Sequence, residues 1–232
     1  MRWVFPLLAK EGVRGRFLTL FMEDQRKIYQ NVSLGVNPDL GLWVELGVAP
    51  RGHHPGDFSL EIGDNATIRS HTVMYAGTKI GDNFATGHNA LIQPFVTIGD
   101  NVSIGSGTEI EHHVTIGNNV RIHSNCFIAQ GTVIRDGVRI SPNTAITSTK
   151  HPLLPEEKKN RRGPEIGENV YISIGVTILS HLTIGKGSLI GSGSVVTKNV
   201  PEGVVMIGTP ARVYMTVEEY LKKLREEGYY EI

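Results

Sequence analysis

The chain has 232 residues, and its 23 lysines and arginines balance 23 aspartates and glutamates, so its formal net charge is zero at pH 7. This balance argues against a protein that binds nucleic acid through a basic surface. A single cysteine, Cys126, excludes a disulfide within the chain and favours a reducing cytoplasm, while 27 glycines and 7% aromatic residues favour a turn-rich β structure.

Residues 1–59 are interpreted as an irregular N-terminal segment. Its apolar run, WVFPLLA, is too short for a signal peptide or a membrane span and predicts a short helix packed on the body. We therefore expect a cytoplasmic protein that does not enter a membrane. The stretch GLWVELGVAPRGHHPGDFS predicts a degenerate strand followed by a proline- and glycine-rich loop.

A six-residue repeat begins at Leu60. Residues 60–149 divide into 15 hexads without a slip, and six more fill residues 164–199. Positions 1 and 3 of each hexad share the inward face of a short strand, and positions 5 and 6 carry turn-forming residues. Three hexads make one triangular coil, so the 21 hexads predict an all-β parallel helix of about seven coils.

Hexads three apart stack on one face of this helix. The outward side chains of the third face are the most apolar, and they include Val73, Leu91 and Phe127. An exposed apolar stripe usually marks an interface, so this face is expected to pack in a cyclic homo-oligomer. The repeat is interrupted by residues 150–163 at the corner that ends the third face, which makes this segment a candidate lid.

The repeat resembles that of the hexapeptide-repeat acyltransferases, over about residues 60–213. The resemblance implies a left-handed parallel β-helix, contrary to the usual right-handed crossover, and it implies a homotrimer. Within the 60–213 domain, residues 150–163 are the protruding loop. Residues 214–232 are predicted to form a C-terminal α-helix that Thr216 caps and that packs on the open end of the coils.

Members of this family transfer an acyl group from coenzyme A to an amine or a hydroxyl, and a histidine is suited to accept the proton of the nucleophile. The stretch EIEHHVTIG is similar to one in the bacterial amino-sugar acetyltransferases, which implies that His112 is the base and that Glu111 or another nearby carboxylate orients it. His151, in TKHP, resembles the catalytic histidine of the sugar O-acetyltransferases.

His88 is a candidate on independent grounds. Its hexad, FATGHN, replaces the aliphatic third position with Thr86, so the interior is altered beside His88 and Asn89, which are predicted to line the acceptor site. His123 is predicted to point outward about two coils above His88, where it contacts either a ligand or solvent.

The stretch IGSGSVVTKNVPEGVVMIGTPARVY looks like the C-terminal signature of the superfamily, in which the pantetheine arm of acetyl-CoA follows the upper coils between subunits. The resemblance implies that six residues bind the coenzyme: Ser173, Gly175, Ser192, Gly193, Lys198 and Arg212. Glycine and serine allow close approach to the backbone, and a cation suits the phosphates.

Residues 66–149 most closely resemble the N-acetyltransferases of nucleotide-linked 3-amino sugars. We therefore expect an acetyl-CoA-dependent N-acetyltransferase that acts on a nucleotide amino sugar for surface glycans. O-acetylation of a sugar is the alternative, and a non-catalytic scaffold is a remote one. The zinc carbonic anhydrases of this fold use a pair of histidines five residues apart. No two of the nine histidines have this spacing, so no metal is expected.

Overall fold

The computed structural model describes residues 25–151 and 153–229, which form 27 short strands and two helices. The lower strands are β1 Lys27–Ile28, β2 Val32–Leu34, β3 Asp39–Leu40, β4 Glu45–Val48, β5 Leu60–Ile62, β6 Thr67–Ile68, β7 Val73–Tyr75, β8 Lys79–Ile80, β9 Ala85–Thr86 and β10 Leu91–Ile92.

The middle of the chain continues with β11 Thr97–Ile98, β12 Ser103–Ile104, β13 Glu109–Ile110, β14 Thr115–Ile116, β15 Arg121–Ile122, β16 Phe127–Ile128, β17 Val133–Ile134, β18 Arg139–Ile140 and β19 Ala145–Ile146. The remaining elements are α1 Pro155–Lys159, β20 Glu165–Ile166, β21 Tyr171–Ile172, β22 Thr177–Ile178, β23 Thr183–Ile184, β24 Leu189–Ile190, β25 Val195–Val196, β26 Val204–Gly208, β27 Ala211–Thr216 and α2 Val217–Glu226.

Three sheets, parallel except at the antiparallel strand β27, form the faces of a β-solenoid. The first face is the eight-stranded sheet from β2 to β23, the second is the ten-stranded sheet that contains β3 and ends at β26 and β27, and the third is the nine-stranded sheet from β1 to β25. From β1 to β22, each strand pairs with the third strand after it in the chain, so Thr97 lies beside Thr115, 18 residues on. The predicted all-β coil of stacked hexads is confirmed.

The interior is a single column of aliphatic side chains. Positions 1 and 3 of the hexads are buried, as the completely buried Ile68, Ile92 and Ile110 illustrate. Where position 1 is threonine, its hydroxyl donates to a backbone carbonyl, as Thr108 does to His123 over 2.8 Å. The polar atom is thereby satisfied inside the core.

The N-terminal segment differs from the prediction. The degenerate strand predicted within residues 41–59 is β4, but β1 to β3 were not expected. Together β1 to β4 continue all three sheets downward, so the coils begin near Lys27 rather than at Leu60. The seven predicted coils are therefore extended at both ends. Ile28, Leu34, Leu40 and Leu46 recur every six residues, which is the signal that could have revealed these strands. The predicted helix in WVFPLLA lies outside the described residues.

The upper end is formed by the antiparallel hairpin of β26 and β27 and by α2. Thr216 caps α2 as predicted, because its hydroxyl accepts from Glu219 N over 3.1 Å while the Glu219 carboxylate accepts from Thr216 N over 2.7 Å. None of the α2 side chains is fully buried. None of the helices among the described residues is long and apolar enough to cross a membrane.

Candidate active site

The third corner is the column of turns that follows the strands of the third face. The turns are Ala76–Gly77, Pro94–Phe95, His112–His113, Gln130–Gly131, Ser148–Thr149, Ser180–His181 and Lys198–Asn199. Position 6 of most hexads has a positive φ, which glycine and asparagine accept easily. At the third corner this position holds Phe95 (φ 62), His113 (φ 58) and His181 (φ 58). Large side chains in a left-handed backbone are typical of functional sites.

Aromatic rings stack beside His112. Phe95 and His113 lie parallel with their centroids 5.2 Å apart, and Phe58 meets Phe95 edge-on at 5.0 Å. The chain makes room for them at Gly77, where an added Cβ would lie 2.5 Å from Phe95 Cδ1. The sequence analysis missed this cluster. The signal was phenylalanine at the turn position where the other hexads have asparagine, glycine, histidine or threonine.

Like Ser180 with its Oγ, His112 contributes one of the buried polar atoms of this corner that have no hydrogen-bond partner. Its Nδ1 is buried and has no hydrogen-bond partner, and its ring centroid lies 5.2 Å from that of His113. Glu111, expected to orient His112, instead accepts a hydrogen bond from Gln130 N over 2.8 Å. The two side chains are thus adjacent in the chain but are not hydrogen bonded. Nε2 is the imidazole nitrogen left for chemistry, since a buried Nδ1 cannot meet a substrate.

Two insertions leave the coil at the third corner. Residues 49–59 follow β4 and carry Phe58 up to Phe95. Residues 150–163 follow β19 and rejoin the corner where Gly163 N donates to Gln130 O over 2.8 Å and His181 N donates to Arg162 O over 3.3 Å. His112 therefore lies between a lower and an upper insertion. His151 is exposed in the upper one.

The second corner, which follows the strands of the second face, holds His88. This exposed side chain has Nδ1 2.8 Å from Ser70 Oγ, and its backbone N–H donates to Ser106 Oγ over 3.0 Å. Thr86 has a structural explanation, because its hydroxyl accepts from Arg69 N over 3.0 Å and lies 3.2 Å from Thr72 Oγ1. The altered interior therefore no longer singles out His88.

Asn89 and His123 also lie on the side of the second corner. Asn89 is exposed and has φ of 57°, as expected of an ordinary turn asparagine. His123 points outward from the second face as predicted, and its Nδ1 accepts a hydrogen bond from Ser124 N over 2.8 Å.

Four of the six predicted coenzyme residues lie together on the upper second corner. Gly175 and Gly193 occupy successive turns, since Gly193 N donates to Ile174 O over 2.9 Å, and both have φ of 68°. A Cβ added at either glycine would meet nothing within 4 Å, so the backbone is open along this path. Ser192 is exposed beside Gly193, and Ser173 is half-buried beside Gly175.

Lys198 and Arg212 do not join those four residues in the same turns. Lys198 is exposed on the third corner, and Arg212 is exposed on β27, where its guanidinium donates to Ala211 O over 2.9 Å. His112 and the glycine path likewise occupy different corners of one chain. A full hexad of extended chain, roughly 20 Å at most, separates successive corners.

Comparison with known proteins agrees with this architecture. The sequence-family model described as bacterial transferase hexapeptide (six repeats) matches residues 77–112, 113–148 and 163–198. The galactoside O-acetyltransferase of Lactococcus lactis is 38% identical over 92 residues, 37% of this chain and 44% of the relative. The 2,3,4,5-tetrahydropyridine-2,6-dicarboxylate N-acetyltransferase of Clostridium perfringens is 44% identical over 61 residues, 26% of each chain.

The chain spans less than half the length of these curated relatives. Among solved structures, the UDP-N-acetylglucosamine acyltransferase from Campylobacter jejuni matches with a TM-score of 0.66 and 16% identity, over 88% of this chain and 77% of that one, which shows a shared fold. The matched repeats coincide with the strands and turns of the coils described above. Over the matched stretches, which make up nearly half of its length, the chain is therefore built from the hexapeptide repeat of the bacterial transferases.

Proposed function

We propose that this protein is an acetyl-CoA-dependent acetyltransferase that acetylates the amino group of a nucleotide-linked amino sugar. The observation that carries the proposal is the third corner. There His112, with its unpartnered buried Nδ1, lies between two insertions and beside left-handed aromatic residues. Large left-handed residues also occur on the second corner, at Trp43 and His71, but the unpartnered histidine nitrogen and both insertions fall on the third corner.

The proposed reaction is direct attack of the sugar amine on the thioester carbonyl. The amine nitrogen forms the new C–N bond and the C–S bond breaks. Coenzyme A leaves as the thiol, which carries the proton that the nitrogen loses. His112 Nε2 accepts that proton at the attacking nitrogen and returns it to the sulfur. Backbone N–H groups of the turns stabilise the developing oxyanion.

The coenzyme is proposed to lie along the second corner. The open backbone at Gly175 and Gly193 fits a slender pantetheine arm, and Ser173 and Ser192 offer hydroxyls beside it. Arg212, on the hairpin above, is suited to hold a phosphate.

The active site is therefore proposed to lie between chains. The second corner of one chain supplies the coenzyme path, and the third corner of its neighbour supplies His112. A cyclic homotrimer packed through the third face satisfies this requirement with three equivalent interfaces. Phe127, 39% exposed on that face, is suited to such an interface.

The proposal is tested by thiol release from acetyl-CoA in the presence of a panel of acceptors. The panel contains dTDP- and UDP-linked amino sugars, the same sugars with hydroxyl in place of amine, free galactosides and L-serine. We expect one thiol released per acetamide formed, with the nucleotide amino sugars only. Turnover of hydroxyl acceptors alone would contradict N-acetylation, and no turnover with any acceptor would leave a non-catalytic scaffold.

A sugar hydroxyl is the second candidate acceptor. It is favoured by the 38% identity to a galactoside O-acetyltransferase and by His151 in the upper insertion. The two candidates differ in their expected base. We expect His112→Ala to lower kcat by about 100-fold or more, as for loss of a general base, while His88→Ala and His151→Ala stay within about threefold of wild type. Loss of activity in His151→Ala with hydroxyl acceptors would support O-acetylation instead.

A further inference from the structure

A groove of about 460 Å³ crosses the second face halfway up the coil. It is lined by Arg121, His123, Arg139, Ile140, Ser141 and Tyr171. The groove is separate from the third corner, and its upper edge at Tyr171 lies in the same hexad as Ser173 and Gly175 of the proposed coenzyme path. The sequence analysis assigned His123 alone of these residues a ligand contact.

Strand register stacks the charged and aromatic side chains in one column. Arg121 of β15 pairs with Arg139 of β18, and Arg139 pairs with Tyr171 of β21. Adjacent strands are about 4.8 Å apart, so two guanidinium stems leave the sheet side by side. Like charges directly opposite each other destabilise a sheet unless a counter-charge binds them.

No such counter-charge comes from the part of the chain that the structure describes. Neither guanidinium is hydrogen bonded or ion paired to another described residue. The contrast with other surface arginines is direct. Arg69, lower on the same face, binds Asp39 over 3.1 Å, and Arg135 binds Glu165 over 2.6 Å.

The rest of the face offers no carboxylate at this height. Along the column, Ser103 precedes Arg121 and Leu189 follows Tyr171. The two arginines therefore form a local cationic site on a chain whose net charge is zero. A cationic site of this kind attracts an anionic ligand.

His123 adds a directed donor to the groove. Because its Nδ1 accepts a hydrogen bond from Ser124 N, the proton of the neutral ring resides on Nε2. The outward-facing Nε2–H can then donate to an anion without the histidine being charged. Tyr171, 47% exposed above the arginines, offers the face of an aromatic ring.

We propose that this groove binds a nucleoside diphosphate, the handle of the nucleotide-linked acceptor. Arg121 and Arg139 each hold one phosphate of the pair, His123 donates to a phosphate oxygen, and Tyr171 stacks against the base. Two adjacent cations match two adjacent phosphates, and an aromatic platform matches a planar base. The inference deepens the proposed function and rests on it for the identity of the ligand.

The experiment measures binding of dTDP and of UDP by titration calorimetry, without any acetyl donor. The test variant is Arg121→Gln/Arg139→Gln, and the matched control is Arg69→Gln, which removes an arginine from the same face. We expect the double variant to bind at least one of the two nucleotides about 10- to 100-fold more weakly, and the control to bind within about twofold of wild type. Tyr171→Ala should weaken nucleotides more than inorganic pyrophosphate, since pyrophosphate lacks the base.

Three results would overturn the inference. Binding of neither nucleotide, or binding that the double variant leaves unchanged, removes the site. The groove belongs to the phosphorylated adenosine of the coenzyme if the double variant loses coenzyme A binding and keeps nucleotide binding. The same assignment follows if saturating coenzyme A displaces dTDP and UDP from the wild type. A change in oligomer mass with no nucleotide bound makes the groove a contact between chains.

The failure of the inference and that of the proposed function are distinguishable. If a nucleotide binds in an arginine-dependent way but no acceptor releases thiol, the groove stands and the proposed transferase reaction fails. If nucleotide amino sugars are acetylated while the double variant keeps the wild-type KM for the acceptor, the reaction stands and the groove fails.

Discussion

Thr86→Val and Thr147→Val form a matched pair that tests how buried hydroxyls act in this coil. Thr86, 5% exposed, accepts a hydrogen bond from Arg69 N, and the valine variant leaves that N–H without an acceptor. An unsatisfied buried donor costs about 1–3 kcal/mol, partly offset by the added methyl group. We therefore expect Thr86→Val to lose about 1.5 kcal/mol, or roughly 3–6 °C in Tm for a chain of this size.

Thr147 has the opposite status, because its buried hydroxyl has no hydrogen-bond partner. Replacing it with valine removes an unsatisfied polar atom, so Thr147→Val should keep or raise the Tm. Both variants are compared with wild type by thermal unfolding at one protein concentration, since oligomer stability depends on concentration. A Tm loss in Thr147→Val that equals or exceeds the loss in Thr86→Val would refute the reasoning.

Three further variants or conditions test local features. Gly105→Ala should be destabilised more than Gly187→Ala in thermal unfolding. The added Cβ at Gly105 collides with Ser124 N, whereas at Gly187 (φ 64) it meets nothing within 4 Å and only the backbone is strained; equal losses would contradict this. Hydrogen bonds from Thr216 lower the pKa of Glu219, so the carboxylate stabilises α2 above the unfolded pKa near 4.5, and this support is lost as pH falls through the lower folded pKa. As the pH falls, the ratio of the α2 amide exchange rate in wild type to that in a Glu219→Gln variant should therefore rise. A ratio that stays constant would contradict this prediction. Burial raises the pKa of the Cys126 thiol, so its stabilising contribution is complete below about pH 9 and declines as pH rises through the folded pKa. Iodoacetamide should accordingly label the native protein at pH 8 far more slowly than the urea-unfolded chain, and comparable rates would exclude a buried thiol.

The repeat made most of the fold predictable because every hexad repeats one physical pattern. The observed pairing of Thr97 with Thr115 follows from that period alone. Residues 27–40 were missed although they keep the six-residue spacing, and β4 was predicted only as a degenerate strand, because residues 49–59 interrupt the repeat before Leu60. Glycine and proline in that interruption favoured an irregular segment over a coil.

The candidate site was predictable only in part. The identities of His112 and Gly175 follow from short motifs, but the orphan Nδ1, the stacked Phe95 and the placement of the two insertions on one corner depend on the three-dimensional coil. The arginine column was accessible in principle, since Arg121 and Arg139 are 18 residues apart. Tyr171 was hidden by the 14-residue insertion, which changes the spacing to 32.

Because the proposed site is divided between two corners, it requires an oligomer in which these corners of neighbouring chains meet. In one chain, His112 and Ser192 lie at the ends of different faces, so the proposed active site takes one corner from each of two neighbouring chains. His112→Ala removes the proposed base, and Ser192→Trp fills the proposed coenzyme path with a large side chain. Either variant alone should lose about 100-fold or more of the activity.

The most direct test is thiol release by oligomers refolded from an equal mixture of His112→Ala and Ser192→Trp chains. One quarter of the interfaces then combine an intact third corner with an intact second corner, so we predict about one quarter of the wild-type rate. A mixture no more active than the two variants measured separately would contradict a site shared between chains, as would full activity of His112→Ala alone.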